Sequence, residues 1–160
     1  MMKRILFVCT ANVCRSPAAE GIFRTLAERA GKENDFFIDS AGISDCLEGE
    51  LPYEVMRECA IERGYGLNHY SRPIKMDDIK RFDYIIGMNA SHVYVLNRWI
   101  KTDVEVENKQ IYLMSDFLSK YDYDGIPDPY GQDKVACELV LDLLEDACGV
   151  LLKEIINNKI

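Results

Sequence analysis

Residues 3–17 read KRILFVCTANVCRSP, and they combine a strand pattern, a short loop and the start of a helix. The apolar run over residues 3–8 is rich in residues that favour β-strands and predicts a buried strand. Over residues 15–30, apolar side chains recur at helical spacing, with Pro17 in the first turn and Gly31 after the last. The stretch therefore predicts a strand–loop–helix unit.

The same alternation of apolar runs and helical patterns continues along the chain. The further strand candidates are residues 36–40, 84–88 and 110–114. The further helix candidates are residues 53–63, 77–81 and 133–157, and a helix that Asn89 caps and that runs through Trp99. Strands that alternate with helices predict a parallel sheet covered on both faces. We expect one α/β domain over residues 1–160, with three layers, a four-stranded parallel sheet and a binding loop after the first strand.

Composition and charge exclude several classes of protein. The chain carries 19 Lys and Arg against 27 Asp and Glu, a net charge of −8, whereas general nucleic-acid binding needs clustered basic side chains. The apolar run over residues 5–9 is too short for a signal-peptide core or a membrane span. We therefore expect a cytoplasmic protein without membrane or nucleic-acid partners, whose six cysteines are reduced thiols.

The loop after the first predicted strand has the residues of an anion site. Backbone N–H groups and a helix N-terminus meet there, and together they attract negative charge. Arg15 can hold a phosphate through two parallel hydrogen bonds. Cys9 lies in the same positive field, which favours the nucleophilic thiolate, and Ser16 can donate a hydrogen bond to that sulfur. The loop predicts nucleophilic attack on a phosphate ester.

Such a reaction needs a proton donor for the departing oxygen, and Asp128 is the candidate. It lies between Pro127 and Pro129, which stiffen the chain and can hold a carboxyl group over a pocket. Tyr130 would then line the pocket with a flat face suited to an aromatic leaving group.

These motifs resemble the low-molecular-weight protein tyrosine phosphatases along nearly the whole chain. The matching segments are residues 8–20, 39–42, 69–72, 82–86 and 128–130. The resemblance implies a phosphocysteine formed on Cys9, oxygens held by Arg15 and the loop N–H groups, and Asp128 as acid and then base. It implies no metal ion and no other cofactor. Phosphotyrosine-containing proteins are the expected substrates, and a monomer is the expected form.

The resemblance also implies two further sets of residues. The expected phosphate-binding and pocket residues are Thr10, Ala11, Asn12, Val13, Cys14, Arg15, Ser16, Cys46 and Tyr130. The expected hydrogen-bond network that supports the loop consists of Asn12, Ser16, Ser40 and His69.

Four positions depart from the family pattern or bear on the substrate. Ala11 stands where the family usually has Gly, so this loop position must accept a Cβ atom. Cys46 replaces a usual Trp or Tyr, and Gly131 replaces a second aromatic residue. These changes predict a wider and less aromatic pocket mouth. Val13 favours phosphotyrosine, because relatives that dephosphorylate arginine carry Thr at this position.

Three rival functions remain open. A protein arginine phosphatase of the same family is one alternative, and some such relatives carry Thr at the position of Val13. An arsenate reductase of the same fold would need two further cysteines after the third strand, and residues 87–90 contain none. A phosphate-binding or phosphocysteine-carrier module without turnover would need neither Arg15 nor a general acid.

The remaining cysteines and histidines have separate interpretations. Cys14 is either the partner of Cys9 in a reversible, protective disulfide or an ordinary loop cysteine. Cys59, Cys137 and Cys148 are expected to pack in the core. His69 is expected to be structural, and His92 is expected to lie on the surface of its helix.

Overall fold

The sheet is built around β1 (Lys3–Cys9) in a computed structural model that describes residues 1–160. All four strands are parallel, in the order β2-β1-β3-β4. The other strands are β2 (Phe36–Gly42), β3 (Tyr84–Gly87) and β4 (Ile111–Leu113). The helices are α1 (Arg15–Arg29), α2 (Glu54–Glu62), α3 (Met76–Arg81), α4 (Ala90–Ile100) and α5 (Lys134–Ile156).

The order of the strands creates a crevice at the carboxyl end of β1. From β1 the chain passes through α1 to β2 on one side, and from β3 it passes through α4 to β4 on the other. The loops that follow β1 and β3 therefore diverge, and ligands of parallel sheets bind at such a point. The strand pairing places Val8 of β1 opposite Ala41 of β2 on one side and opposite Gly87 of β3 on the other. The three strands that border the crevice therefore end at nearly the same height.

The side chains of β1 alternate between two apolar cores. Ile5 and Phe7 belong to the larger core, to which α1, α2 and α5 also contribute. Leu6 and Val8 belong to the smaller core, with residues of α3 and α4. Burial on both faces explains why β1 is a continuous apolar run instead of an alternating one.

The predicted fold class and elements are confirmed. All four strands and all five helices lie where the patterns placed them, and their ends differ by one or two residues. Asn89 caps α4 as expected, because its side-chain Oδ1 accepts a hydrogen bond from the His92 N–H. No helix combines the length and the apolar character that a bilayer crossing requires.

Candidate active site

The loop between β1 and α1 uses its carbonyl groups for hydrogen bonds to neighbouring segments and leaves its N–H groups without partners. The carbonyl oxygens of Cys9, Thr10 and Val13 accept hydrogen bonds from the N–H groups of Ile43, Ser44 and Tyr53. None of residues 10–16 donates its backbone N–H to another group of the chain. The N-terminus of α1 has no side-chain cap either. A set of unpaired N–H groups that face one point is an anion-binding concavity.

Asn12 holds the centre of this loop. Its backbone adopts a φ of 59°, in the left-handed region, and its side chain is fully buried. Its Oδ1 accepts hydrogen bonds from His69 Nε2 at 2.7 Å and from the Arg72 N–H at 3.0 Å. Its Nδ2 donates to Ser16 Oγ at 2.8 Å and to Ser40 Oγ at 3.0 Å. The amide thus makes four hydrogen bonds, which compensate for the unfavourable backbone conformation.

The hydroxyl of Ser16 connects this network to Cys9. Ser16 Oγ lies 2.9 Å from Cys9 Sγ. Ser16 Oγ accepts a hydrogen bond from Asn12, and its own hydrogen can go to Cys9 Sγ or, at 3.5 Å, to the Ala41 carbonyl oxygen. The shorter contact favours the sulfur. Ser40 Oγ, in turn, donates to the buried carboxylate of Glu20 at 2.7 Å. The four predicted support residues therefore lie in one connected network, and Glu20 is a further member that the sequence analysis missed.

A cluster of charged side chains surrounds His69. Its Nδ1 lies 3.2 Å from Glu20 Oε1 and 3.4 Å from Asp39 Oδ1, and Asp39 also pairs with Arg72. The donor atoms of Glu20, Asp39 and His69 lie within 4.8 Å of one another, as metal ligands would. Asn12, Ser40 and Arg72 already bind these side chains, so the cluster fits a structural support of the loop.

Gly42, at the end of β2, lets the loop approach the sheet closely. A Cβ atom there would lie 2.8 Å from the carbonyl oxygen of Thr10 and 3.1 Å from the Asn12 nitrogen. Only glycine fits at this distance. Ala11, by contrast, is not among the residues with a positive φ, and its carbonyl accepts a hydrogen bond from Ser71 Oγ at 2.7 Å. The loop therefore accepts the Cβ atom of Ala11.

Arg15 reaches from the start of α1 across the crevice. The residue is only 3% exposed. Its Nη1 donates to the carbonyl oxygen of Ile126 at 3.0 Å, and its Nη2 lies 3.4 Å from Thr10 Oγ1. Its Nε is buried and has no partner in the chain. A buried guanidinium N–H needs an acceptor, and an oxyanion held by the loop would supply one.

Asp128 lies on the opposite side of the crevice and faces the same guanidinium. Its Oδ2 is 3.6 Å from Arg15 Nη2, and its Oδ1 accepts a hydrogen bond from the Tyr130 N–H at 3.1 Å. About half of the carboxyl side chain remains exposed to solvent, at 52%. The carboxyl is therefore both oriented by the loop and accessible to a ligand.

A cavity of about 220 Å³ joins the predicted catalytic, phosphate-binding and pocket residues except Asn12 and Ser16, which are fully buried. Its lining contains Cys9, Arg15 and Asp128, together with Thr10, Ala11, Val13, Cys14, Cys46, Leu47 and Tyr130. The ring of Tyr53 packs 5.3 Å from the ring of Tyr130, centroid to centroid. Leu47 lines the cavity and Tyr53 packs against its lining residue Tyr130, and no sequence motif indicated either residue. Tyr53 therefore adds an aromatic ring beside the mouth, which the sequence analysis expected to be poor in aromatic residues.

The cysteines differ in their surroundings. Cys9 and Cys14 are both buried, and both line the cavity. Burial raises the pKa of the Cys14 thiol above its ordinary value, and Asp128 and Cys9 act in the same direction. Cys14 is therefore a neutral thiol at neutral pH. Cys59, Cys137 and Cys148 are buried in the larger core, as predicted.

The expectation that His92 lies on the surface is wrong. The residue is 3% exposed, and its Nε2 lies 2.9 Å from Thr10 Oγ1 in the anion-binding loop. It occupies the first turn of α4, which begins at the carboxyl end of β3 beside the crevice. The helical pattern predicted that His92 lies on a helix. It did not predict which part of the chain covers the side of the helix that carries His92.

Comparisons with known proteins agree with this geometry. The family model described as "Low molecular weight phosphotyrosine protein phosphatase" matches residues 4–160. The low molecular weight protein-tyrosine-phosphatase YfkJ of Bacillus subtilis is 33% identical over 156 residues, which cover 96% of this chain and 98% of that protein.

Solved structures are also similar. A crystal structure of a protein tyrosine phosphatase from Entamoeba histolytica has a TM-score of 0.92 and 34% identity, with 99% of each chain covered. The structure of a Drosophila arginine phosphatase has a TM-score of 0.89 and 28% identity, and the match covers 96% of this chain and 97% of that one. Since the family model spans nearly all residues, this chain belongs to the low molecular weight phosphotyrosine protein phosphatase family.

Proposed function

We propose that this chain hydrolyses phosphotyrosine in proteins, with Cys9 as nucleophile, Arg15 as phosphate ligand and Asp128 as general acid and base. The observation that carries the proposal is the set of unpaired donors around Cys9. The N–H groups of residues 10–16 and the buried Nε of Arg15 have no partners in the chain. A tetrahedral oxyanion above Cys9 Sγ would satisfy them.

In the first step, the thiolate of Cys9 attacks phosphorus, and the bond between phosphorus and the phenolic oxygen breaks. Asp128 gives its proton to the departing phenolate. The Ser16 hydroxyl, 2.9 Å from the sulfur, stabilises the thiolate before the attack. The products are a phosphocysteine and a free tyrosine side chain.

In the second step, a water molecule attacks the phosphocysteine, and the phosphorus–sulfur bond breaks. Asp128 accepts the proton of the water, and Cys9 leaves as a thiolate that Ser16 again stabilises. Arg15 and the loop N–H groups stabilise the negative charge of the transferring group in both steps, as a metal ion does in other phosphatases.

The lining of the cavity supports an aryl ester as substrate. The branched apolar side chain of Val13 is buried in the lining, and the ring of Tyr130 is half-exposed at the mouth, packed on Tyr53. A phenyl ring would gain apolar contacts and aromatic packing there. Val13 offers no hydrogen-bond partner for a guanidinium, which favours phosphotyrosine over phosphoarginine.

The test is hydrolysis of p-nitrophenyl phosphate by the wild type and three variants. We expect no turnover for Cys9→Ser. For Asp128→Ala we expect a loss of about 10²–10⁴-fold in kcat, because the second step then lacks its general base even though p-nitrophenolate leaves without a proton. Asp122→Ala changes an exposed carboxylate of the same loop and serves as the matched control with unchanged turnover. Full activity of Cys9→Ser would contradict the proposed mechanism.

A second candidate function is protein arginine phosphatase activity, which the structural similarity to the Drosophila arginine phosphatase favours. A panel of phosphotyrosine, phosphoarginine and phosphoserine peptides separates the two functions. We expect the phosphotyrosine peptide to have the highest kcat/KM. A higher kcat/KM for the phosphoarginine peptide would replace the proposed substrate by the second one.

A further inference from the structure

His92 connects the N-terminus of α4 to the anion-binding loop through one side chain. Its Nε2 lies 2.9 Å from Thr10 Oγ1, and Thr10 Oγ1 lies 3.4 Å from Arg15 Nη2. The three side chains thus form a continuous path from a buried imidazole to the guanidinium that faces Asp128. The proposed mechanism above assigns no role to His92.

The hydrogen bonds of the imidazole define its tautomer. His92 Nδ1 accepts a hydrogen bond from the backbone N–H of Asn89 at 3.2 Å, so Nδ1 carries no hydrogen. Nε2 must then carry the hydrogen and donate it to Thr10 Oγ1. Burial and the nearby charge of Arg15 lower the pKa of His92 to about 4, while Asp128 acts weakly in the opposite direction. The imidazole therefore remains neutral at neutral pH.

The hydroxyl of Thr10 is oriented by these two neighbours. A hydroxyl oxygen has two acceptor sites and one hydrogen. His92 Nε2 and Arg15 Nη2 each donate to Thr10 Oγ1 and fill the acceptor sites. Nη2 donates a hydrogen bond to Thr10 Oγ1, and Nη1 donates one to the carbonyl oxygen of Ile126. These two hydrogen bonds fix the orientation of the guanidinium plane. Its Nε has no partner, and each Nη nitrogen keeps a second hydrogen, so N–H donors remain for a bound oxyanion.

We propose that Thr10 and His92 form a positioning pair that holds the guanidinium of Arg15 ready for phosphate. This inference rests on the proposed function and names two residues that tune the same site. An arginine side chain loses much conformational freedom when it binds an anion, and a contact that orders it beforehand removes part of this cost. The alternative is that His92 serves only to cap α4 through Asn89.

The experiment measures the dissociation constant of inorganic phosphate by calorimetry in a Cys9→Ser background, where the readout does not depend on turnover. The variants are Thr10→Val, His92→Phe, both together, and His92→Gln. Valine removes the hydroxyl at nearly constant volume, phenylalanine keeps the ring without a donor, and glutamine keeps an N–H donor. Tyr94→Phe, at an exposed position of α4, is the matched control.

We expect Thr10→Val and His92→Phe each to weaken phosphate binding by about tenfold. The double variant should bind no more weakly than either single variant, because both changes break the same path. His92→Gln should recover most of the affinity, and Tyr94→Phe should bind as the parent does. The ¹⁵N chemical shifts of His92 should report a neutral ring with the hydrogen on Nε2.

Unchanged phosphate affinity in Thr10→Val, additive losses in the double variant, or a ring with its hydrogen on Nδ1 would each overturn the positioning pair. If His92→Phe does not fold, Thr10→Val decides the question alone, since Thr10 is an exposed loop residue. These outcomes leave the proposed function intact. That proposal fails separately if Cys9→Ser hydrolyses p-nitrophenyl phosphate.

Discussion

The Oγ atom of Ser16 lies 2.9 Å from the Sγ atom of Cys9, and the Asn12 amide donates to that Oγ from the other side. The hydroxyl hydrogen of Ser16 can then go to the sulfur, which is closer than its other acceptor, the Ala41 carbonyl oxygen at 3.5 Å. A hydrogen bond to a charged group stabilises it more than a bond between neutral groups does. In the proposed mechanism, Ser16 therefore stabilises the Cys9 thiolate both as nucleophile and as leaving group.

Replacement of Ser16 by alanine should lower kcat by about 10- to 100-fold, which corresponds to the loss of a charge-assisted hydrogen bond of about 1.5–3 kcal/mol. The measurement is steady-state hydrolysis of p-nitrophenyl phosphate. Thr25→Ala removes a hydroxyl that bonds the Gly21 carbonyl on the same helix, and it should leave kcat unchanged. Equal kcat values for Ser16→Ala and wild type would show that the short contact does not stabilise the thiolate.

Two substitutions of Asn12 separate backbone strain from hydrogen bonding. Asn12→Ala and Asn12→Gly both remove the four side-chain hydrogen bonds, but only glycine adopts the φ of 59° without cost. We expect both variants to lose stability and activity, with Asn12→Ala less stable than Asn12→Gly by about 1–2 kcal/mol. Urea denaturation gives both free energies of unfolding. Equal stability of the two variants would mean that the loop relaxes around the alanine.

The role of Asp128 as an acid predicts a dependence on the leaving group. Asn at this position keeps the shape but cannot give a proton, so the first-turnover release of phenol from phenyl phosphate should slow by about 10²–10⁴-fold. Release of p-nitrophenol should slow much less, because p-nitrophenolate leaves without a proton. Single-turnover kinetics measure this step alone. The same loss for both esters would contradict proton donation by Asp128.

The buried imidazole of His92 predicts a pH dependence of stability. Its pKa is about 4 in the folded chain, against an ordinary value of 6.5. Between these values the unfolded chain binds a proton at His92 and the folded chain does not, so the free energy of unfolding falls as pH decreases below 6.5. Asp128, which faces the ring together with Arg15, moderates this shift.

The measurement compares urea denaturation of wild type and His92→Gln at pH 7.5 and at pH 5. We expect wild type to lose more stability than the variant over this interval, because glutamine does not titrate. The carboxylates titrate in both proteins, so the difference between the two losses isolates His92. Equal losses would show that the imidazole protonates alike in the folded and unfolded chains.

Val13 provides a test of substrate choice. Its side chain is nearly fully buried in the cavity lining, so a change there alters the surface that meets the leaving group. Val13→Thr adds a hydroxyl at nearly constant volume and should lower the ratio of phosphotyrosine to phosphoarginine turnover. Peptides that carry either residue give the two kcat/KM values. An unchanged ratio would place the determinant of substrate choice elsewhere in the pocket.

Local sequence patterns were sufficient to predict the helices and strands and the residues that we propose for catalysis. The strand over residues 3–9 and the helix that starts at Arg15 follow from apolar spacing and from Pro17 in the first turn. Cys9, Arg15 and Ser16 lie within one loop, so their proximity is set by the short chain between them. Asp128 was found through its two flanking prolines, although 113 residues separate it from Arg15 in the chain.

Local sequence patterns were not sufficient to predict contacts between side chains that lie far apart in the sequence. His92 and Thr10 are 82 residues apart. The pair of His69 and Asn12, 57 residues apart, was expected only from the family resemblance. Tyr53 meets Tyr130 only because the loop before α2 and the loop before α5 reach the same edge of the sheet. No spacing rule in one sequence predicts such pairs, because strand order decides which loops are neighbours.

The amino-acid sequence by itself determined the α/β fold class, the anion-binding loop after β1 and the residues that we propose for the phosphatase chemistry. Periodicity, turn residues and short motifs encode these features, and each acts over a few residues. Only the tertiary structure decided that His92 is buried against Thr10, that Glu20 completes the network of Asn12, and that Tyr53 packs on Tyr130. These contacts depend on the order β2-β1-β3-β4, which brings the loops after β1 and β3 together at one crevice.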